Sequence, residues 1–335
     1  MKRLLIFLFL APFCLGAALA EGAQEPGKTY KWKLGFNTVV GSIRDVAAKE
    51  FKKIVESRSN GQITVTLFPG EALGSEQEMI EAVKVGALDF QLCGGTALQN
   101  LVKEVTPPTL PFMVKDYDEA HALLDGPYGE YVRQKAAVHN LQILSYLDLG
   151  FAQMTNNKRP IRVPDDLKGI KMRSPNEPTS IATFKALGSA VSTMPFSEVY
   201  LALSQGVVDG QFNPLDAIHD TKFHEVQKYL AITNHFYYYI HFMMNKKVWD
   251  GLPSNLKGVV QEGANAAKQV SREWFKKKDA EMLAKLKPSF LEITYPNIAE
   301  FQAKLAPFYK DELSKMVPAE AIRLAQETLE KYRKK

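Results

Sequence analysis

The sequence predicts an α/β fold built as two lobes with a cleft between them. Three observations carry this expectation. At 335 residues the chain exceeds one usual domain. Short apolar extended runs alternate with runs of helical spacing along most of its length, as in α/β units. A faint internal repeat points to two similar halves: Ala, Gly, Asp and Gln recur in register in Ala82–Gln91 and, 120 positions on, in Ala202–Gln211. Asp89 and Asp209 are therefore expected to hold the same turn in each half.

Taken in order, the first twenty residues are an export signal. Lys2-Arg3 is a charged start, Leu4 to Leu15 an apolar run, and Ala18-Leu19-Ala20 a small-x-small site, so cleavage is expected after Ala20. The apolar run is short for a membrane span, and no other stretch is long enough. Ala11-Pro12-Phe13 is a poor lipid-attachment context for Cys14. Removing the signal leaves Cys93 alone, which excludes an internal disulfide and reads as a small buried hydrophobe.

Glu21 to Thr29 is a polar tail. Tyr30 to Asn37 is the first strand, with Trp32, Leu34 and Phe36 on one face. A helix follows on the stripe Ile43, Val46, Ala47, Phe51, Ile54 and Val55. Gln62 to Phe68 alternates as a strand and stops at Pro69-Gly70. Ser75-Glu76-Gln77-Glu78 is a capping box that opens a helix ending at Gly86. Leu88 to Leu92 reads as a strand and Gly94-Gly95-Thr96 as a small-residue loop. Pro107 to Phe112 is an apolar loop. Asp116–Leu124 and Tyr128–His139 are helices, and Leu141–Leu147 is a strand. Gly150 marks a crossing into the second lobe.

The stretch from Lys168 to Asp220 holds the densest information. Lys171 to Arg173 is a short strand that stops before Pro175. Helical spacing follows at Ile181, Phe184 and Leu187. A second helix, Ser197 to Gln205, ends at Gly206, and Val207-Val208 reads as a strand. Asn213-Pro214 opens the next helix, with Asn as N-cap and Pro at the first helical position. Arg173 stands where a strand ends among apolar residues. Ligands of α/β proteins bind at such strand ends, and a guanidinium there can grip a carboxylate through two parallel hydrogen bonds. Tyr239 to Asn245 then returns to the first lobe as a strand. Pro253 to about Lys287 is one long helix, and two more near Ala299–Lys315 and Pro318–Lys334 close the chain.

The runs KMRSP, MPFSEVYLAL and GVVDGQFNP resemble the periplasmic solute receptors of tripartite ATP-independent (TRAP) transporters, the C4-dicarboxylate-receptor (DctP) family. LGSEQEMIEAVKVGALDF, LPFMVKDYDEAHALLDGPYGE, TNNKRPI and EVQKYLAITNH extend the resemblance over nearly the whole mature chain. It implies a periplasmic-binding-protein-like fold with a central cleft, hinge strands and a long helix spanning both lobes. Lobe I would take 21–149 and about 239–278, and lobe II 150–238 and about 279–335.

The resemblance also assigns roles. Arg173 would ion-pair with a ligand carboxylate; a structural salt bridge to Asp166 or Glu177 is the competing account. Asn213 matches the ligand-binding Asn that ends the family's GQEN run, a role compatible with its being an N-cap. Phe196 matches an aromatic beside the ligand, against core packing. Asn37 matches a first-lobe polar contact, Glu76 and Met79 line the same cleft, and Tyr237 and Tyr238 sit at a strand junction that often touches ligand. Three positions depart from the pattern. Ala152 replaces a second arginine, Phe212 replaces an acid, and Gly94 opens the glycine-rich loop Gly94–Ala97 that is polar in the sialic-acid receptors. The expected consequence is a less polar pocket. It would suit an organic acid with one dominant anionic group and an uncharged remainder, aromatic or short aliphatic, with a sulfonate or a dicarboxylate left open.

The function so implied is capture of a small organic acid in the periplasm and delivery to the membrane subunits of a TRAP permease, by a monomer that makes and breaks no bond. A periplasmic sensing subunit and an enzyme on the same scaffold are the alternatives. An enzyme would need a general base near Arg173, with only Glu76 or a histidine as candidates. The six histidines show no paired metal-ligand spacing, and no nucleotide or nucleophile motif is present, so no metal or cofactor is indicated. A net charge of +5 with no basic stripe argues against nucleic acid.

Overall fold

The computed structural model describes residues 28–334. The expected export signal, its cleavage after Ala20 and Cys14 lie outside the described residues.

Three parallel strands begin the first unit. β1 (Tyr30–Gly35) and β2 (Ile63–Phe68) flank α1 (Ile43–Arg58), whose N-cap Ser42 accepts a hydrogen bond from the Asp45 N–H. α2 (Glu76–Val85) carries the full capping box of Ser75 and Glu78 and ends on Gly86 in the left-handed region. β3 (Phe90–Gly94) follows, then α3 (Tyr117–Leu124), α4 (Pro127–Val138) and the long strand β4 (Leu141–Phe151). Strand order in this sheet is β2-β1-β3, continued by β10 (Tyr237–Asn245) and β4, with β10 antiparallel to both neighbours.

The second unit lies between those two long strands in sequence. It contains β5 (Gln153–Asn156), β6 (Lys171–Ser174), α5 (Pro178–Ala186), β7 (Ala190–Thr193), α6 (Val199–Ser204), β8 (Gly210–Asn213), α7 (Leu215–Asp220) and β9 (Tyr229–Ala231). After β10 come α8 (Lys246–Asp250), α9 (Ser254–Leu286) and β11 (Glu292–Thr294), then α10 (Ile298–Asp311), α11 (Leu313–Met316) and α12 (Ala319–Arg333). The second sheet runs β11-β9-β5-β8-β6-β7. The chain crosses between sheets twice, from β4 to β5 and from β9 to β10. The two crossings are tied together where the Ala152 N–H donates to the Phe236 carbonyl at 2.8 Å. Gly150 makes the first crossing with a φ of +101°, and a Cβ there would press on Phe275 and Pro214.

α9 has 33 residues, about 50 Å at 1.5 Å per residue. Its first half buries Leu256, Val260, Ala264 and Ala267 with the first sheet, and Met282 and Leu286 near its end join the core of the second. A Cβ on Gly263 would stand 2.8 Å from the Phe51 ring, so the side chains of α1 fill the space that any larger residue on α9 would need.

The repeat has a physical basis. Asp89 accepts the backbone N–H of Lys33 at 2.8 Å, and Asp209 accepts that of Lys171 at 2.9 Å. Each aspartate pins the turn before its strand to the neighbouring parallel strand, which is the shared structural role expected of the pair.

Several expectations are corrected. Val207-Val208 is a turn: both N–H groups bond back to Ala202, closing the preceding helix, and the strand starts at Gly210. The strand expected at Leu88–Leu92 begins at Phe90 for the same reason, with Ala87 and Leu88 bonded back to Ala82. Asn213 ends β8 and Pro214 takes the N-cap place. The last helix, α12, packs on α3 and α4 of the first unit, burying Ala321, Ala325 and Leu329 there. It does not stay with the second unit, where α10 buries Phe301, Leu305 and Phe308.

Candidate functional site

A cavity of about 430 Å³ separates the two sheets, within the range of roughly 300–1,000 Å³ usual for small-molecule sites. Its walls come from the carboxyl ends of strands: Asn37 after β1, Gly94 and Thr96 after β3, Arg173 and Pro175 around the end of β6, Met194 and Phe196 after β7, and Asn213 at the end of β8. Of the residues singled out from sequence, Arg173, Asn213, Phe196, Asn37, Glu76, Tyr238 and Gly94 line this one cavity.

Tyr237, Phe212, Ala152 and Met79 do not line it. Side chains alternate along β10, so Tyr238 faces the cleft while Tyr237 points away and donates to Asp148 at 2.7 Å. Phe212 is stacked on Phe184 at 4.4 Å in the core of the second unit. Ala152 is buried at the crossing between the sheets, and Met79 is buried beneath Gly35. The two substitutions expected to make the pocket apolar therefore lie outside its wall.

Arg173 is only 3% exposed. One Nη donates to the Met194 carbonyl at 2.8 Å, and the guanidinium stands 5.9 Å from the Phe196 ring centroid. Its Nε has no partner among the described residues. Asp166 instead accepts the backbone N–H groups of Arg162 and Val163, and Glu177 accepts hydroxyls. Burial lowers the Arg173 pKa to about 10, so the group stays charged at neutral pH. A buried cation without an ion pair calls for an anion from outside the chain.

The opposite wall contains a residue that sequence reading passed over. Arg44, at the second position of α1, donates to Asn37 Oδ1 at 2.7 Å and to Glu76 Oε1 at 3.2 Å. Glu76 also accepts the Gly94 N–H at 2.7 Å and Asn37 Nδ2 at 3.3 Å. This wall is charge-balanced and rich in donors and acceptors. A signal was present: Arg44 interrupts an otherwise apolar stripe directly after Ile43.

Glu177 was also missed as a cavity residue. It is 4% exposed and accepts hydrogen bonds from Thr96 Oγ1 and from Ser180 Oγ, the latter at 2.9 Å. Burial pushes its pKa up to about 7. Beside it the buried Tyr238 hydroxyl lies near Ser180 and completes no well-formed hydrogen bond among the described residues. The lobes are in contact over this cavity. Asn100 Nδ2 donates to the Asn176 carbonyl at 2.8 Å, Thr179 Oγ1 donates to Gln99 Oε1 at 2.8 Å, and the Ser197 N–H reaches Glu71 at 3.2 Å.

Cys93 is buried, and burial pushes its thiol up, opposite to a reactive thiol. Among the described residues no cluster of His, Cys, Asp and Glu could hold a metal ion, and no helix is long and apolar enough to cross a membrane.

The sequence model of the bacterial extracellular solute-binding proteins, family 7 (DctP), matches residues 37–315. A solute-binding protein of Verminephrobacter eiseniae is 36% identical over 277 residues, 82% of each chain. The sugar-acid-binding protein of Advenella mimigardefordensis in complex with galactonate superposes with a TM-score of 0.87 at 29% identity, covering 91% of this chain and 99% of its own. A TRAP periplasmic solute-binding protein of Polaromonas bound to D-erythronate has a TM-score of 0.85 at 32% identity, covering 89% and 98%.

Proposed function

The chain belongs to bacterial extracellular solute-binding protein family 7, the two-lobed TRAP solute receptors, and from that premise we propose that it captures a hydroxylated monocarboxylic acid between its lobes. The carboxylate binds Arg173 through Nε and the free guanidinium edge, with Asn213 beside it. The remainder of the ligand carries hydroxyls. These exchange hydrogen bonds with the Asn37–Arg44–Glu76 wall and with the Tyr238 hydroxyl. Phe196 covers one face.

The observation that carries this reading is the buried guanidinium of Arg173, which faces the cavity between the lobes with no ion-pair partner among the described residues, opposite a wall whose own charges cancel. Galactonate and D-erythronate, bound in the two structural relatives, are acids of this kind. Closure excludes water, which strengthens the ion pair and commits the ligand. The mature protein, cut after Ala20, works as a periplasmic monomer and hands the acid to the membrane subunits of a TRAP permease without altering it.

A thermal-shift screen of mature protein against organic acids tests this, with Arg173→Ala alongside. An acid present at about 100 times its Kd stabilises by roughly 2.7 kcal/mol. Hydroxylated monocarboxylates should raise the melting point of wild type and leave the variant unmoved. A preference for dicarboxylates or for unsubstituted aromatic acids would refute the assignment of the polar wall.

A further inference from the structure

We infer that Glu177 is a positioning residue that makes ligand capture proton-linked, because its carboxyl joins the two lobes at the Thr96 hydroxyl while standing beside the anion site without pairing Arg173. This rests on the reading of the cleft as an organic-acid site. Glu177 immediately precedes α5 in the second unit, and Thr96 lies in the loop after β3 in the first. The hydrogen bond between them therefore exists only when the lobes are together.

The surroundings of the carboxyl decide its charge. Its two hydrogen-bond partners, Thr96 and Ser180, are neutral hydroxyls. The titratable and charged groups facing it are Arg173 on β6, Glu76 on α2, Tyr238 on β10 and Cys93 on β3. Burial dominates and raises the pKa; the hydrogen bonds from Thr96 and Ser180 offset part of this, Glu76 adds repulsion and Arg173 a smaller attraction, which leaves the pKa at about 7. In an open cleft Thr96 withdraws and water reaches the carboxyl, whose ordinary pKa is about 4.3. Closure near neutral pH thus takes up a proton from solvent. A ligand carboxylate on Arg173 adds negative charge nearby and favours the protonated form further. The contact survives protonation, because a threonine hydroxyl can accept from a carboxylic acid as readily as it donates to a carboxylate.

The closed form has the raised pKa, so its advantage is present at low pH and is lost as pH rises through about 7. A monocarboxylate of ordinary pKa stays ionised throughout. Its Kd should be about tenfold tighter at pH 6 than at pH 8.

The experiment is isothermal titration of the mature protein with D-galactonate at pH 6, 7 and 8, at pH 7 in both phosphate and Tris. The expected result is the tenfold change, with a buffer-dependent heat at pH 7 that reports uptake of part of one proton. Glu177→Gln should flatten the pH dependence and make the heat follow buffer no longer. Thr96→Val, which leaves the carboxyl in place, should weaken binding at every pH. A wild-type Kd and heat independent of pH and buffer, or a wild-type slope retained in Glu177→Gln, overturns the proposal. If galactonate does not bind, the hydroxylated-acid reading falls, and butyrate serves as the probe for Glu177 alone. Binding of neither acid at any pH overturns both.

Discussion

Arg44 Nη2 lies 3.2 Å from Glu76 Oε1, so one of the two buried guanidinium groups of the cleft is already paired. The other, Arg173, has no ion pair within the chain among the described residues. The cleft therefore presents one open positive site, and Glu76 is what keeps it at one. Replacing Glu76 by Gln should uncover Arg44 as a second. Leaving a buried charge without its partner typically costs about 3–5 kcal/mol, and a second ligand carboxylate can relieve that cost. The expected outcome is a gain of about tenfold or more for succinate relative to galactonate, read as the ratio of their Kd values in wild type and variant.

Arg173→Ala should lower affinity for any anionic ligand by about a hundredfold or more, since truncating one partner of a buried charge pair costs about 2–5 kcal/mol. The ligand-free protein should behave differently. An unpaired buried cation is a burden on the fold, so the variant alone should melt at the same temperature as wild type or higher. A large drop in the melting point without ligand would show that Arg173 holds the structure together.

Phe196 and Phe212 should separate function from stability. Phe212 is 2% exposed and stacked in the core, and Phe→Ala there typically costs about 3–5 kcal/mol. Denaturant unfolding of Phe212→Ala should report a loss of that size, with ligand affinity of the folded protein little changed. Phe196 lines the cavity and is only partly buried. Phe196→Ala should weaken binding by several fold while unfolding near the wild-type midpoint. The reverse pattern would exchange their roles.

Asp216, on α7 beneath the long helix, supplies a pH test of the fold itself. Burial, with Asp220 and Asp279 nearby, pushes its pKa up to about 7. The folded state then holds a proton that the unfolded chain releases near pH 4. Its contribution to stability is fully present below about pH 4 and is lost as pH rises through about 7. Asp216→Asn should therefore gain stability over wild type as the pH is raised from 5 to 8. Thermal melts at the two pH values check this; an equal difference at both would leave Asp216 without a part in the pH dependence.

Much of this protein was legible locally. Ser42, the Ser75–Glu78 box and Gly86 set the ends of α1 and α2 through contacts within a few residues, and the apolar stripe of α9 runs its full length. Asp89 and Asp209 announced two like units, and Arg173 stood visibly at a strand end. The strands β5, β7, β9 and β11, of three or four residues each, did not announce themselves. Runs that short carry too little periodicity and gain their strand geometry from neighbours in the sheet.

Local pattern was enough for the two-lobed α/β architecture and for the cation at the mouth of β6. Long-range packing sets the rest: Phe212, Tyr237 and Ala152 turn away from the cleft, α12 returns to the first unit, and Arg44 pairs its charge with Glu76. A single side chain's direction in a strand depends on register, and a charge is free or paired according to what the rest of the chain brings to it. Arg44 and Glu76 are 32 residues apart and Thr96 and Glu177 are 81, distances over which no local pattern reaches and which folding alone closes.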